Sequence, residues 1–295
     1  MTRRLFLAAP ALLTAQDPVI RVDVKLIRIL ASVRDQFGQL AGGLNKEDFQ
    51  VFDNSVEQQV AIFERSTSQP LSIMILLDIS ASVAKDLKYE VEASLRFARS
   101  LFKDGNEEDS IALITFNHEV RLVAGFTRRI RRLENAVTDI RTGAGTSLYD
   151  ALFLGSEELE GREGRKVIIC VTDGGDTASF KKFNAANVAV QRAQAAVYPV
   201  LVTPIVNDSG RNTGGENALQ LIAERSGGRV LKPSSYDKLT QSFDEILRDL
   251  RTQYLLAFYP KNLSPSGNKF HRLEVKLRRP DLRVSARTGY YEETL

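Results

Sequence analysis

Leu71-Ser72-Ile73-Met74-Ile75-Leu76-Leu77-Asp78-Ile79-Ser80-Ala81-Ser82 is the stretch from which the rest of the chain is read. Leu71 to Leu77 form an apolar run with the length of a strand buried on both faces, as in a parallel sheet. The run ends in one carboxylate and two hydroxyls, each two residues apart. They fall at the strand's carboxyl end, where open α/β sheets place their ligand sites. Three oxygen donors on one short loop suit Mg²⁺, Mn²⁺ or Ca²⁺, whereas zinc would call for His or Cys. A plainer reading of the same residues makes Ser80 and Ser82 helix N-caps and Asp78 a turn residue.

Two further segments bear on that choice. Lys166 to Thr172 is a second apolar run, ending at Asp173-Gly174-Gly175, again an acid followed by conformationally permissive glycines. Between the runs, Gly143-Ala144-Gly145-Thr146-Ser147 is a flexible loop leading into an apolar-periodic helix. No lysine follows these glycines, which excludes a phosphate-binding P-loop. In order and spacing, Asp78, Ser80 and Ser82, then Thr146, then Asp173 resemble the metal-ion-dependent adhesion site of von Willebrand factor type A (VWA) domains. Asp109-Ser110-Ile111-Ala112-Leu113-Ile114-Thr115-Phe116 resembles that family's second core strand, and the resemblance spans residues 70–250.

The resemblance implies an α/β, Rossmann-like domain with a mostly parallel sheet and helices on both faces. It also implies a divalent cation, Mg²⁺ first with Mn²⁺ or Ca²⁺ as alternatives. Ser80, Ser82 and Thr146 would be its direct ligands, with Asp78 and Asp173 acting mostly through waters. Such a site leaves one coordination position open for an Asp or Glu carboxylate of a protein partner. The implied function is therefore capture of a partner, not catalysis. The alternative is a structural or assembly protein of the cell envelope in which the metal only stabilises the loops. The whole chain further resembles bacterial exported VWFA-related domain proteins.

Composition fits a folded globular protein, with 43% hydrophobic and 26% charged residues over 295 positions. The formal charge of +3 gives no electrostatic case for nucleic acid. Residues 1–15 read as an export signal. Arg3 and Arg4 open it, Leu5 to Leu13 are its apolar middle, and Leu13-Thr14-Ala15 is a cleavage site before Gln16. Thr2-Arg3-Arg4-Leu5-Phe6-Leu7 resembles a twin-arginine signal, so the expected location is periplasmic or secreted. No later apolar run has the length of a membrane span. Cys170 is the only cysteine; within an apolar strand it reads as a buried, inert thiol.

Three zones follow the leader. Residues 16–66 alternate in polarity, as in Val22, Val24 and Leu26 or Phe49 and Val51, with turns at Asp35-Gln36-Phe37-Gly38 and Asp53-Asn54-Ser55. Across 70–250 apolar strands alternate with helical periods. Leu87, Val91, Ala98 and Phe102 share one helical face, and Leu239, Phe243, Ile246 and Leu250 another. Thr127 is expected to cap a helix carrying Ile130, Leu133, Val137 and Ile140, and Arg229 to Leu231 to form a short strand. Alternation returns over 251–295, with Leu273, Val275 and Leu277 facing one way.

Each flank is about fifty residues or fewer, a length marginal for independent folding without a staple. The two are therefore expected to share one β-sandwich, with the VWA domain inserted between them. Arg128-Arg129-Ile130-Arg131-Arg132 reads as the solvated face of a helix, Asp150 as a helix-dipole acid and Asp176 as a loop acid. His118 and His271 lie far apart in sequence and offer no zinc or catalytic pair.

Overall fold

The computed structural model describes residues 26–65, 68–202, 213–261 and 269–292. The export signal and the alternation at Val22 and Val24 lie outside these residues. The first flank gives β1 (Ile27–Asp35), β2 (Phe49–Asp53), β3 (Val56–Gln58) and β4 (Ile62–Arg65). The middle of the chain begins with β5 (Leu71–Asp78), α1 (Leu87–Asp104), β6 (Ser110–Phe116) and β7 (Val120–Thr127). It continues through α2 (Ile130–Ala136), α3 (Leu148–Glu160), β8 (Arg165–Thr172) and α4 (Phe183–Ala193). β9 (Ala196–Leu201), α5 (Thr213–Ser226) and α6 (Tyr236–Thr252) complete it. The second flank gives β10 (Tyr254–Phe258), β11 (Phe270–Leu277), β12 (Leu282–Ala286) and β13 (Gly289–Tyr291).

The middle sheet has the order β7-β6-β5-β8-β9, parallel except for the β6–β7 hairpin. Every residue of β5 is buried because both faces of the sheet are covered. Ile73, Ile75 and Leu77 point into a core shared with Phe97 and Leu101 of α1 and Phe243 and Ile246 of α6. Met74 and Leu76 point the opposite way, toward Leu148 and Leu152 of α3, Val190 of α4 and Ile222 of α5. Period-2 alternation thus sorts one apolar run into two cores. Burying each large side chain contributes about 1.5–3 kcal/mol.

The flanks build two four-stranded antiparallel sheets, β12-β1-β10-β4 and β13-β11-β2-β3, and each sheet draws strands from both ends of the chain. β1 has partners on both sides, β10 and β12, and both come from the second flank. Phe49, Phe63 and Tyr254 meet between the sheets, with ring centroids 5.2–5.9 Å apart. The sandwich is fixed to the middle of the chain through Asp249 of α6, which is buried between Arg34 of β1 and Arg229.

Two local expectations are corrected. α2 stops at Ala136, and Thr127 ends β7 with its hydroxyl accepting the Arg129 N–H at 3.0 Å. The β-branched residues at Val137, Thr138 and Ile140 carry poor helix propensity, which accounts for the early stop. Arg229 to Leu231 makes a single bridge, Val200 to Leu231, in place of a strand. Among the described residues no helix is long and apolar enough to cross a membrane.

Candidate functional site

β5 delivers Asp78 to the carboxyl edge of the sheet with no solvent exposure. Its two carboxylate oxygens are engaged from two directions. Oδ1 accepts the Ser80 N–H at 2.8 Å, the local turn that aspartate favours. Oδ2 accepts the Thr172 hydroxyl, at the end of β8, at 2.7 Å. Ser80 stands at the head of a 3₁₀ turn, Ala81–Val83, but its side chain makes no cap bond. The Ser80 and Ser82 hydroxyls instead bond each other at 2.9 Å.

The second acid follows β8. Asp173 accepts the Gly175 N–H at 3.2 Å, while the Gly174 N–H turns back onto the Thr172 hydroxyl at 3.1 Å. Gly174 has φ +92°, left-handed backbone that only glycine adopts at little cost. The third loop runs alongside: the Gly143 N–H donates to Ile79 C=O at 3.0 Å, making a parallel bridge beside Ser80. Thr146 is buried. Its N–H donates to the Thr177 hydroxyl at 3.0 Å, and its C=O accepts from Thr177 and Ala178 at 2.9 and 3.1 Å. Gly145, with φ +74°, lets this loop pass close to Ala178 and His118.

Sequence reasoning missed the brace behind these loops. The Asp150 carboxylate accepts the Phe180 and Lys181 N–H groups at 2.9 and 2.8 Å, so it pins a neighbouring loop as well as sitting in the first turn of α3. Asp176 accepts the Ser179 hydroxyl at 2.5 Å, and that hydroxyl in turn accepts the Tyr149 N–H at 3.0 Å. The signal for Asp150 was weak, because an acid early in a helix has a sufficient local explanation.

Glu90 was also missed. It occupies a position on the apolar face of α1, next to Val91 and one turn before Ser94, and has no solvent exposure. Neither of its carboxylate oxygens has a hydrogen-bond partner. Burial, then the charges of Asp78, Asp86 and Asp173, push its carboxyl up to about 9. Asp78 is pushed up to about 6, chiefly by burial, against the lowering effect of its bonds from Thr172 and Ser80. Burial also pushes the Cys170 thiol well up, as an inert core cysteine requires. His118 is exposed at the β6–β7 turn, and His271 is buried in the sandwich between Asp53 and Glu292 at 2.9 Å each.

The expectation of a bound divalent cation is corrected. Among the described residues, no group of three or more His, Cys, Asp or Glu side chains could hold a metal ion. The donors already serve one another: Asp78 bonds Ser80 and Thr172, and Ser80 bonds Ser82. The set holds only two carboxylates, Asp78 and Asp173, and Asp78 has no solvent exposure.

Residues 73–175 match the family of von Willebrand factor type A domains. The chain carries a VWA-like domain. Among solved structures, the VWA-like fold is shared with the vWF domain of the type V pili tip protein Mfa5 from Porphyromonas gingivalis. That match has 14% identity and a TM-score of 0.51, over 62% of this chain and 95% of that one. The pilus adhesin SpaC from Lactobacillus rhamnosus GG, in its open conformation, matches at 10% identity and a TM-score of 0.51. This match covers 82% of the present chain and 47% of SpaC. The PilB minor pilin from Streptococcus sanguinis matches at 13% identity and a TM-score of 0.47, over 63% of this chain and 62% of that one. The present chain thus spans less than two thirds of both SpaC and PilB. At these identities the likeness is one of fold. No curated protein matches the sequence.

Proposed function

We propose that this protein is an exported, non-catalytic protein-interaction module with a structural or assembly role in the cell envelope. Its recognition surface is the loop face at the carboxyl ends of β5 and β8. The observation that carries the reading is that these loops are tied to one another by internal hydrogen bonds. Asp78 joins the first loop to β8, Gly143 joins the third loop to Ile79, and Thr146 joins it to Thr177 and Ala178. A surface fixed before a partner arrives loses little entropy on binding. Asp78, Ser80, Ser82, Thr146 and Asp173 act in this account as the frame of that surface.

A catalytic reading has less to build on. His271 lies in the sandwich, the Cys170 thiol is buried, and the Ser80 hydroxyl is bonded to Ser82. Export rests on residues 1–15, the family likeness and the pilus-associated proteins among the fold relatives; fractionation of cells making the full chain would test it.

Photo-crosslinking in cells tests the surface. A photoreactive residue at Ala144 or Thr177, both exposed, is expected to trap a defined protein partner, and the same adduct should persist in chelator. Adducts formed equally from a residue on the far side of the sandwich, such as Glu57, would contradict the assignment.

A further inference from the structure

His271 of β11 is buried, yet both of its ring nitrogens face carboxylates. Nδ1 lies 2.9 Å from Oδ1 of Asp53, the last residue of β2. Nε2 lies 2.9 Å from Oε1 of Glu292, just past β13. The ring also stacks on Tyr290 of β13, with centroids 4.7 Å apart and planes 23° apart. Ionised carboxylates only accept hydrogen bonds, so the ring bonds both partners only when both nitrogens carry a proton. A neutral ring has one N–H, and its other nitrogen turns a lone pair toward a negative oxygen.

The two carboxylates are not equivalent. Asp53 has no solvent exposure and also accepts the Tyr290 hydroxyl at 2.6 Å. Burial, then that bond, push the Tyr290 hydroxyl up, so it stays a donor. The Glu292 side chain is half-exposed and can turn to water once unpaired, whereas Asp53 cannot. A ring left with one proton therefore keeps it on Nδ1 and drops Glu292. The other charges nearby are engaged elsewhere. Arg287 lies 5.7 Å from the Tyr290 ring centroid, and α4, which packs against β13, sets Arg192 5.6 Å from that of Tyr291. Arg272 and Glu274, the charged neighbours on β11, are exposed on the opposite face of the sheet.

The geometry points to His271 as a pH-operated latch: its second ring proton holds Glu292 and the end of β13 in place, and loss of that proton releases them. β13 is an edge strand of three residues that pairs only with β11. Its neighbour Glu292 adds one backbone bond, from its N–H to Lys269 C=O at 2.7 Å. Release loosens β13 and uncovers the edge of β11 from Phe270 to Arg272. None of these residues belongs to the loop face, so the latch stands apart from the function proposed above.

Two measurements on the full chain test it. Nitrogen NMR of the ring is expected to show protons on both nitrogens at about pH 5.5 and on Nδ1 alone at about pH 8.5. Across that span the Tyr291 and Glu292 amides should exchange roughly fivefold faster after correction for the intrinsic rate, while those of β1 and β10 hold steady. Glu292→Gln supplies an amide that can accept from the Nε2 N–H or donate to the bare nitrogen, so this variant should keep β13 protected at both pH values. The proposal would be overturned by a ring whose protonation is the same at both pH values, or by a lone proton on Nε2. Exchange of β13 that ignores pH, or that speeds up equally in Glu292→Gln, would overturn it too.

Discussion

The five-stranded sheet and the sandwich solve the same problem in opposite ways. The sheet takes its strands from one continuous stretch: β5 pairs with β6, which follows it after α1, and with β8, which follows after β6, β7, α2 and α3. The sandwich takes β1 and β4 from the beginning of the chain and β10 and β12 from the end, so Leu30 pairs with Leu255 and Val33 with Val284. The first can form its contacts largely within the sequence that encodes it. The second exists only when both ends arrive, which the middle of the chain arranges by bringing Arg34, Arg229 and Asp249 together.

The largest expected effect follows directly. A chain ending at Gln253 lacks β10 to β13 and leaves β1 without either partner strand. The first flank should then lose its protected amides in hydrogen exchange, while β5, β6 and β8 keep theirs. A sharper comparison uses one aromatic in each core. Phe243→Ala, beside Phe97 at 5.4 Å, and Phe49→Ala, beside Tyr254 at 5.2 Å, should each cost about 3–5 kcal/mol in denaturant unfolding. The former should expose the α1–α6 layer and the latter the sandwich, which residue-resolved exchange would separate.

Next in size is the pH response of two buried carboxyls of the sheet half, Glu90 and Asp78. The Glu90 carboxyl is raised from 4.5 to about 9, so the folded state holds a proton that the unfolded state has lost. Its contribution is therefore fully present below pH 4.5 and is lost as pH rises toward 9. Asp78 adds the same sign between 3.8 and about 6. Glu90→Gln should raise stability by about 1–3 kcal/mol at pH 8 and change little at pH 4.5. Thermal melts at the two pH values check this. The smallest effect is local: Asp150→Ala frees the Phe180 and Lys181 N–H groups, costs about 1 kcal/mol, and should speed amide exchange only over residues 176–182.

The comparison also marks what was legible in the sequence. β5 and β8 could be read because a strand buried on both faces must be apolar throughout, and the sandwich strands because one face alternates with solvent. The loops at Gly143 and Asp173 could be located from their glycines. How the polar side chains divide their bonds could not. Asp78, Ser80 and Ser82 suggested cation donors, whereas Thr172, an ordinary strand residue in sequence, takes one carboxylate oxygen and the serines take each other. Arg128 read as a solvated helix charge, yet it turns inward to the Asn106 and Phe102 carbonyls and the Phe102 ring. For Asp78 and Arg128 the deciding partner is a residue distant in sequence, and no local pattern names it.

The most direct measurement of the central claim is the melting temperature of the full chain in chelator and then in excess Mg²⁺, read alongside crosslink yield from Ala144. If the loops are held by their own hydrogen bonds, both readings should be the same in the two conditions. A rise of several degrees with Mg²⁺, or crosslinks that vanish in chelator, would show that a cation holds the loops after all.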